Sequence, residues 1–154
     1  MNKLNERLTL IANFSVVAGI VFLGLELQQN TRAIQAQTRD SITEKQMTFS
    51  GWWATSPELA MVTVKVGRVG LDGLEDWESQ MYALAVHGVW REWENSLYQY
   101  EQGLFTEEEF EARKVRWRIN MGFRGYREQW PGQRETFAPR FMEEIDRIVA
   151  EVDN

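Results

Sequence analysis

The sequence predicts an all-α protein: an N-terminal transmembrane helix continuing into a stalk helix, then a compact domain of four to five helices. Three observations carry this. Residues Leu8–Leu25 (LTLIANFSVVAGIVFLGL) form an eighteen-residue run without a charge. Later segments place apolar residues at three- and four-residue spacings between recognisable helix caps. No segment shows a convincing strand–turn–strand signal, and no internal repeat is present.

The uncharged run comes first. As a helix it is roughly 27 Å long at 1.5 Å per residue, close to the ~30 Å hydrocarbon thickness of a bilayer. Only Thr9, Asn13 and Ser15 interrupt it, so it lacks the polar face usual for a core helix. Lys3 and Arg7 ahead of it would also suit a secretory leader. The run is longer than the ~7–15 apolar residues of such a leader. The exit Phe22-Leu23-Gly24-Leu25-Glu26-Leu27 also offers bulky residues where a peptidase wants small ones. The expectation is an uncleaved anchor over residues 1–27, with a cleaved signal peptide and a buried core helix as the alternatives.

Within the run, Ser15 and Gly19 make a small-xxx-small pair that lets two helices approach closely. Thr9, Asn13, Val16, Ile20, Leu23 and Leu27 recur at alternating spacings of four and three, the seam of a supercoiled oligomer. Asn13, Ser15 and Gly19 are therefore the expected oligomerisation positions. The plainer reading has Asn13 and Ser15 bonding carbonyls of their own helix. Counting Lys and Arg near the run gives Lys3 and Arg7 before it and Arg32, Arg39 and Lys45 after it. That excess places the larger domain in the cytoplasm and the anchor in the inner membrane.

Residues 28–46 are expected to form a helical stalk, because Glu26–Gln46 holds no Pro or Gly and spaces Ile34, Thr38 and Ile42 four apart. Met47, Phe49, Trp52 and Trp53 open a strongly apolar region, so the soluble helical domain is assigned to residues 47–154. Ser56-Pro57-Glu58 supplies an N-cap hydroxyl, a first-turn proline and an early acid. That helix runs to about Arg68, where Gly67, Gly70 and Gly73 break the pattern. A short strand over Val62, Val64 and Val66 is the alternative.

From Trp77 a long helix presents Tyr82, Val86, Val89, Trp93, Leu97 and Tyr100 on one face and stops near Gly103. Thr106 and Glu109 form a capping box for the next helix. A short piece from Phe123 to Trp130 ends at Pro131. The final helix starts near Pro139 and buries Phe141, Ile145, Ile148 and Val149.

With no cysteine, the chain has no disulfide framework, thiolate metal site or cysteine nucleophile. Residues 1–46 carry a charge of +1 and the remainder −7, which sum to the net −6. An acidic domain argues against nucleic acid as a partner. Eight Lys and Arg between residues 113 and 140 alternate with Trp117, Phe123, Tyr126 and Trp130. They are expected to pair with the acidic surface of the Trp77–Tyr100 helix, their stems lying on aromatic rings. The acidic Glu107–Glu111 run and the basic Arg113–Arg118 run each suit their own end of a helix dipole.

The single histidine, His87, stands without the ligands or triad partners that metal or nucleophilic chemistry needs. A partly buried packing role is expected for it. If the domain holds a ligand pocket, His87, Glu94 and Tyr98 are its candidate residues. No catalytic, cofactor or metal motif is present.

Glu26-Leu27-Gln28-Gln29-Asn30-Thr31-Arg32-Ala33-Ile34-Gln35-Ala36-Gln37-Thr38 resembles the juxtamembrane stretch of a group of uncharacterised small bacterial single-pass membrane proteins. Ser56-Pro57-Glu58-Leu59, Glu94–Gly103 and Phe137-Ala138-Pro139-Arg140-Phe141 extend the resemblance over most of the chain. It departs at Gln28, where the group tends to carry Arg. The resemblance implies this architecture and no catalytic residue.

The resulting expectation is a non-enzymatic protein anchored in a lipid bilayer. It self-associates into a homo-oligomer through its span and stalk, and presents an aromatic-rich domain to an unidentified protein partner. A small-ligand sensor or enzyme, and a small oligomeric pore lined by Asn13, are the alternatives.

Overall fold

The computed structural model describes residues 3–153 and contains six α-helices. They are α1 (Lys3–Thr55), α2 (Pro57–Val69), α3 (Asp76–Glu101), α4 (Glu107–Met121), α5 (Arg124–Gln133) and α6 (Pro139–Val152). Short 3₁₀ turns at Leu71–Gly73 and Arg134–Thr136 complete the chain, and no strand occurs among the described residues. The all-α class read from the sequence is the fold observed.

The structure divides into two compact units, residues 1–38 and residues 39–154. The first unit is the N-terminal part of α1. None of its uncharged run is buried, so Leu8–Leu25 is not a core helix of this chain. It is long and apolar enough to cross a membrane. Asn13, Ser15 and Gly19 are all exposed, and a methyl group on Gly19 would meet nothing within 4 Å. Thr9, the third polar residue of the run, spends its hydroxyl on the Asn5 carbonyl at 2.9 Å.

The second unit holds the end of α1 and all of α2–α6. Its core therefore recruits residues earlier than the apolar cluster opening at Met47, because Ile42 is only 1% exposed. Trp53, two residues before α1 ends, donates its indole N–H to Thr63 of α2 at 2.9 Å. Ser56 caps α2 by accepting the Leu59 N–H at 3.2 Å, and Pro57 occupies the first turn. Leu59, Val62 and Val66 are buried while Val64 is exposed. That is helical spacing, and it replaces the strand alternative for this segment. Gly67 sits inside α2; the stop is Gly70, whose φ of 79° suits a residue without a Cβ.

Helix α3 is the centre of the domain and packs against α2, α4 and α5. Partners on several sides explain why its buried arc is wider than one stripe. Tyr82, Val86, Val89, Trp93 and Leu97 are buried as expected, and Trp90 joins them with no exposure at all. Aromatic rings fill the space between helices. Trp93 stacks on Trp117 at 5.4 Å and on Tyr126 at 6.0 Å, and Trp90 meets Trp130 edge-on at 5.2 Å. Tyr100 stacks on Phe110 at 4.2 Å. Gly125 of α5 is required by this closeness: a Cβ there would lie 2.3 Å from the Tyr82 hydroxyl and 2.4 Å from Val66.

The capping box at Thr106 and Glu109 forms as read, Glu109 accepting the Thr106 N–H at 2.9 Å. Pro131 does not end its helix, contrary to the sequence reading; α5 continues to Gln133 with the proline inside. A proline removes one hydrogen bond near a helix end. Trp130, 3% exposed and bonded through its indole N–H to Asp146 at 2.8 Å, holds the turn in place. Helix α6 buries Phe141, Ile145 and Ile148, with Val149 half-buried.

The basic stretch pairs more widely than with α3 alone. Arg113 approaches Glu92 and Arg140 bonds Glu101, both on α3. Arg118, Arg127 and Arg134 reach instead to Glu151, Asp153 and Asp146 at the C-terminal end of the chain.

Candidate functional site

The residues expected to line a pocket take two different positions. His87 and Glu94 lie on one face of α3 with Arg91 between them. The Nδ1 of His87 is 2.9 Å from Gln133 Oε1, and its Nε2 accepts from Arg91 Nε at 3.3 Å. Arg91 also donates to Glu94 at 2.7 Å and to the Thr136 carbonyl at 2.7 Å, and lies 4.4 Å over the Phe137 ring. Glu94 then accepts the Ala138 N–H at 2.7 Å. Ala138 is the N-cap of α6 and has no side-chain oxygen, so a carboxylate from α3 replaces the missing cap. The row His87–Arg91–Glu94 thus clamps the connection between α5 and α6 onto α3.

Tyr98 is 57% exposed. It shares with Glu94 a shallow surface depression of about 330 Å³ that His87 does not line. The three candidates therefore do not converge on one cavity.

The larger concavity lies on the other side of α3. It is a cleft of about 940 Å³ between the end of α1, α3 and α4. Helix α1 contributes Arg39, Thr43, Gln46, Phe49, Ser50 and Trp53. Helix α3 supplies Val89, Glu92 and Trp93, and helix α4 supplies Glu109, Ala112, Arg113, Arg116 and Asn120. Phe105 and Tyr126 complete an aromatic wall.

Its floor carries a buried charge. Glu92 is 6% exposed, and its Oε1 accepts from Ser96 at 2.9 Å and from Gln46 at 3.4 Å. Burial pushes the Glu92 carboxyl above its ordinary range, and the Ser96 bond and the Arg113 charge only partly oppose this. Burial likewise lowers the Arg113 guanidinium and raises the Tyr126 phenol to about 12. At the mouth, Arg39 bonds Glu109 at 2.5 Å.

The raised Glu92 has a testable consequence. A group that binds its proton more tightly in the folded state stabilises the fold below its unfolded pKa. That contribution is lost as pH rises through the folded value. Glu92→Gln should therefore melt a few degrees above the native chain at pH 7. The gap should close as pH falls below the ordinary carboxyl value of 4.5. Paired thermal melts at pH 4 and 7 check it; a variant that melts lower at both would refute it.

Sequence reasoning named Trp53 and Arg113 for other reasons but did not assemble this cleft. Its walls come from three helices far apart in the chain, and periodicity within one helix cannot show which faces meet. The signal available was a row of polar residues on α1 (Arg39, Thr43, Gln46, Ser50) that lines the cleft and stays exposed beside buried Ile42.

Among the described residues no group of three or more His, Asp or Glu is placed to hold a metal ion. No family profile, no curated protein and no solved structure matches the chain.

Proposed function

We propose that the chain is a non-enzymatic, membrane-anchored helical protein, held in a lipid bilayer by Leu8–Leu25. It self-associates through this span and the following stalk, and offers its helical domain to a protein partner. One observation carries the reading: an uncharged helix long enough to span a bilayer is left wholly uncovered, while residues 39–154 close a core of their own. Water charges heavily for such a surface and lipid does not.

The excess of Arg32, Arg39 and Lys45 over Lys3 and Arg7 supports an inner-membrane anchor with the domain on the cytoplasmic side. The stalk and cap motifs support kinship with the group of small bacterial single-pass proteins. Self-association is supported by Asn13, Ser15 and Gly19, which present small or polar surface to whatever lies beside the helix.

Because the chain has no native cysteine, one introduced thiol reports unambiguously. Ser15→Cys should give disulfide-linked dimers in oxidised native membranes, whereas Phe14→Cys, on a different face, should remain monomeric. A monomer at both positions, at native expression, would remove the self-association.

A further inference from the structure

The cleft between α1, α3 and α4 contains two guanidinium groups that the fold leaves short of partners. Arg113 and Arg116 are three residues apart on α4, so they share a face, and both line the cleft. The third cation of the wall, Arg39, is already tied to Glu109. The Arg113 side chain is only 18% exposed, and its nearest carboxylate oxygen, on Glu92, lies 3.9 Å away. That is beyond hydrogen-bond reach. Its guanidinium carbon sits 4.6 Å from the Phe105 ring centre, a contact that positions the charge without neutralising it.

Among the described residues, the Trp90 indole nitrogen is the one fully buried side-chain polar atom without a partner. The guanidinium nitrogens of Arg113 therefore open onto the cleft instead of the core. Arg116 is exposed and forms no ion pair among the described residues.

We propose that Arg113 and Arg116 form the anion-binding end of a ligand site whose apolar end is the wall of Phe49, Trp53, Phe105 and Tyr126. The ligand class is a small molecule with a carboxylate or phosphate group on an aromatic or aliphatic body. A planar guanidinium fork matches either oxyanion, and two on one helix face bind it from two directions. The cleft volume of about 940 Å³ is in the range that encloses such a molecule. Burial pushes the Glu92 carboxyl above its ordinary range, which lessens the negative charge that an anion meets at the floor.

Calorimetric titration of the full chain in phosphatidylcholine nanodiscs tests the site, with 1-naphthoate as probe and empty discs as the blank. Naphthoate should bind saturably, and its cationic counterpart 1-naphthylmethylamine about tenfold more weakly or not at all. Arg113→Gln with Arg116→Gln should weaken naphthoate by about tenfold or more. Should that double variant fail to fold, Arg116→Glu, at an exposed position without an ion pair, should show the same loss alone.

Discs containing phosphatidylglycerol separate two sources of the anion. Displacement of naphthoate identifies a lipid headgroup and undiminished binding a free solute, and both support the anionic assignment. Equal or tighter binding of the amine, unchanged affinity in the folded arginine variants, or no saturable heat would overturn it.

Discussion

Trp90→Ala will cost the helical domain about 3–5 kcal/mol, the largest stability loss expected from one side chain in this protein. Trp90 has no exposed surface. Its ring meets Tyr126, Trp130 and Phe137 edge-on within 6.1 Å. Truncation would leave a void bounded by three rings, each held by other contacts and unable to move in to fill it. Against the 5–15 kcal/mol total stability typical of a domain, this loss should leave the domain marginal or unfolded at 37 °C. Trp90→Phe separates cavity from chemistry. It keeps a ring and deletes the unsatisfied buried N–H, whose desolvation costs about 1–3 kcal/mol. Urea melts of the full chain should therefore rank native and Trp90→Phe close together and Trp90→Ala far below. Similar losses for both substitutions would show that the indole N–H has a partner after all.

Val17→Arg will release the chain from membranes. Val17 lies at the middle of the uncharged run, is 58% exposed, and flanks the seam beside Asn13 and Ile20. Extraction from the bilayer, not oligomeric state, is therefore the readout. An arginine at a span centre costs about 2.5–3.5 kcal/mol in insertion, on the order of a hundredfold in the equilibrium. Most of the native chain should resist alkaline carbonate extraction, and most of the Val17→Arg chain should not. Thr31→Arg, a charge placed beyond the run, should behave as native. Equal extraction of all three would contradict lipid burial of this segment.

Most of the helix boundaries were legible because local residues advertise them. Ser56-Pro57, Thr106 with Glu109, Gly103 and Pro139 are local signals, and the structure uses them as caps and stops. Pro131 misled because its effect is not local: a buried tryptophan bonded to Asp146 keeps the helix going past it. Tertiary packing overrides propensity where an anchor of that size is present.

The candidate site was less legible. His87 and Glu94 were picked as chemically versatile residues, yet their partners Gln133 and Ala138 lie more than forty residues away in sequence. What they clamp is visible only once α5 and α6 are folded back on α3. The 940 Å³ cleft depends in the same way on Arg39–Trp53 meeting α4. The uncharged run is the opposite case. Its meaning lies in composition alone, and the fold adds only that none of it is buried among the described residues.

Cysteine-accessibility mapping across residues 5–31 tests the membrane span most directly, since the native chain contributes no thiol of its own. With a membrane-impermeant maleimide on sealed vesicles of each orientation, single cysteines between residues 9 and 24 should stay unlabelled. Asn5→Cys and Thr31→Cys should label from opposite faces, Thr31→Cys from the cytoplasmic one. Labelling throughout residues 9–24 at the rate of the flanks, or both flanks reacting from the same face, would contradict a helix that spans the bilayer.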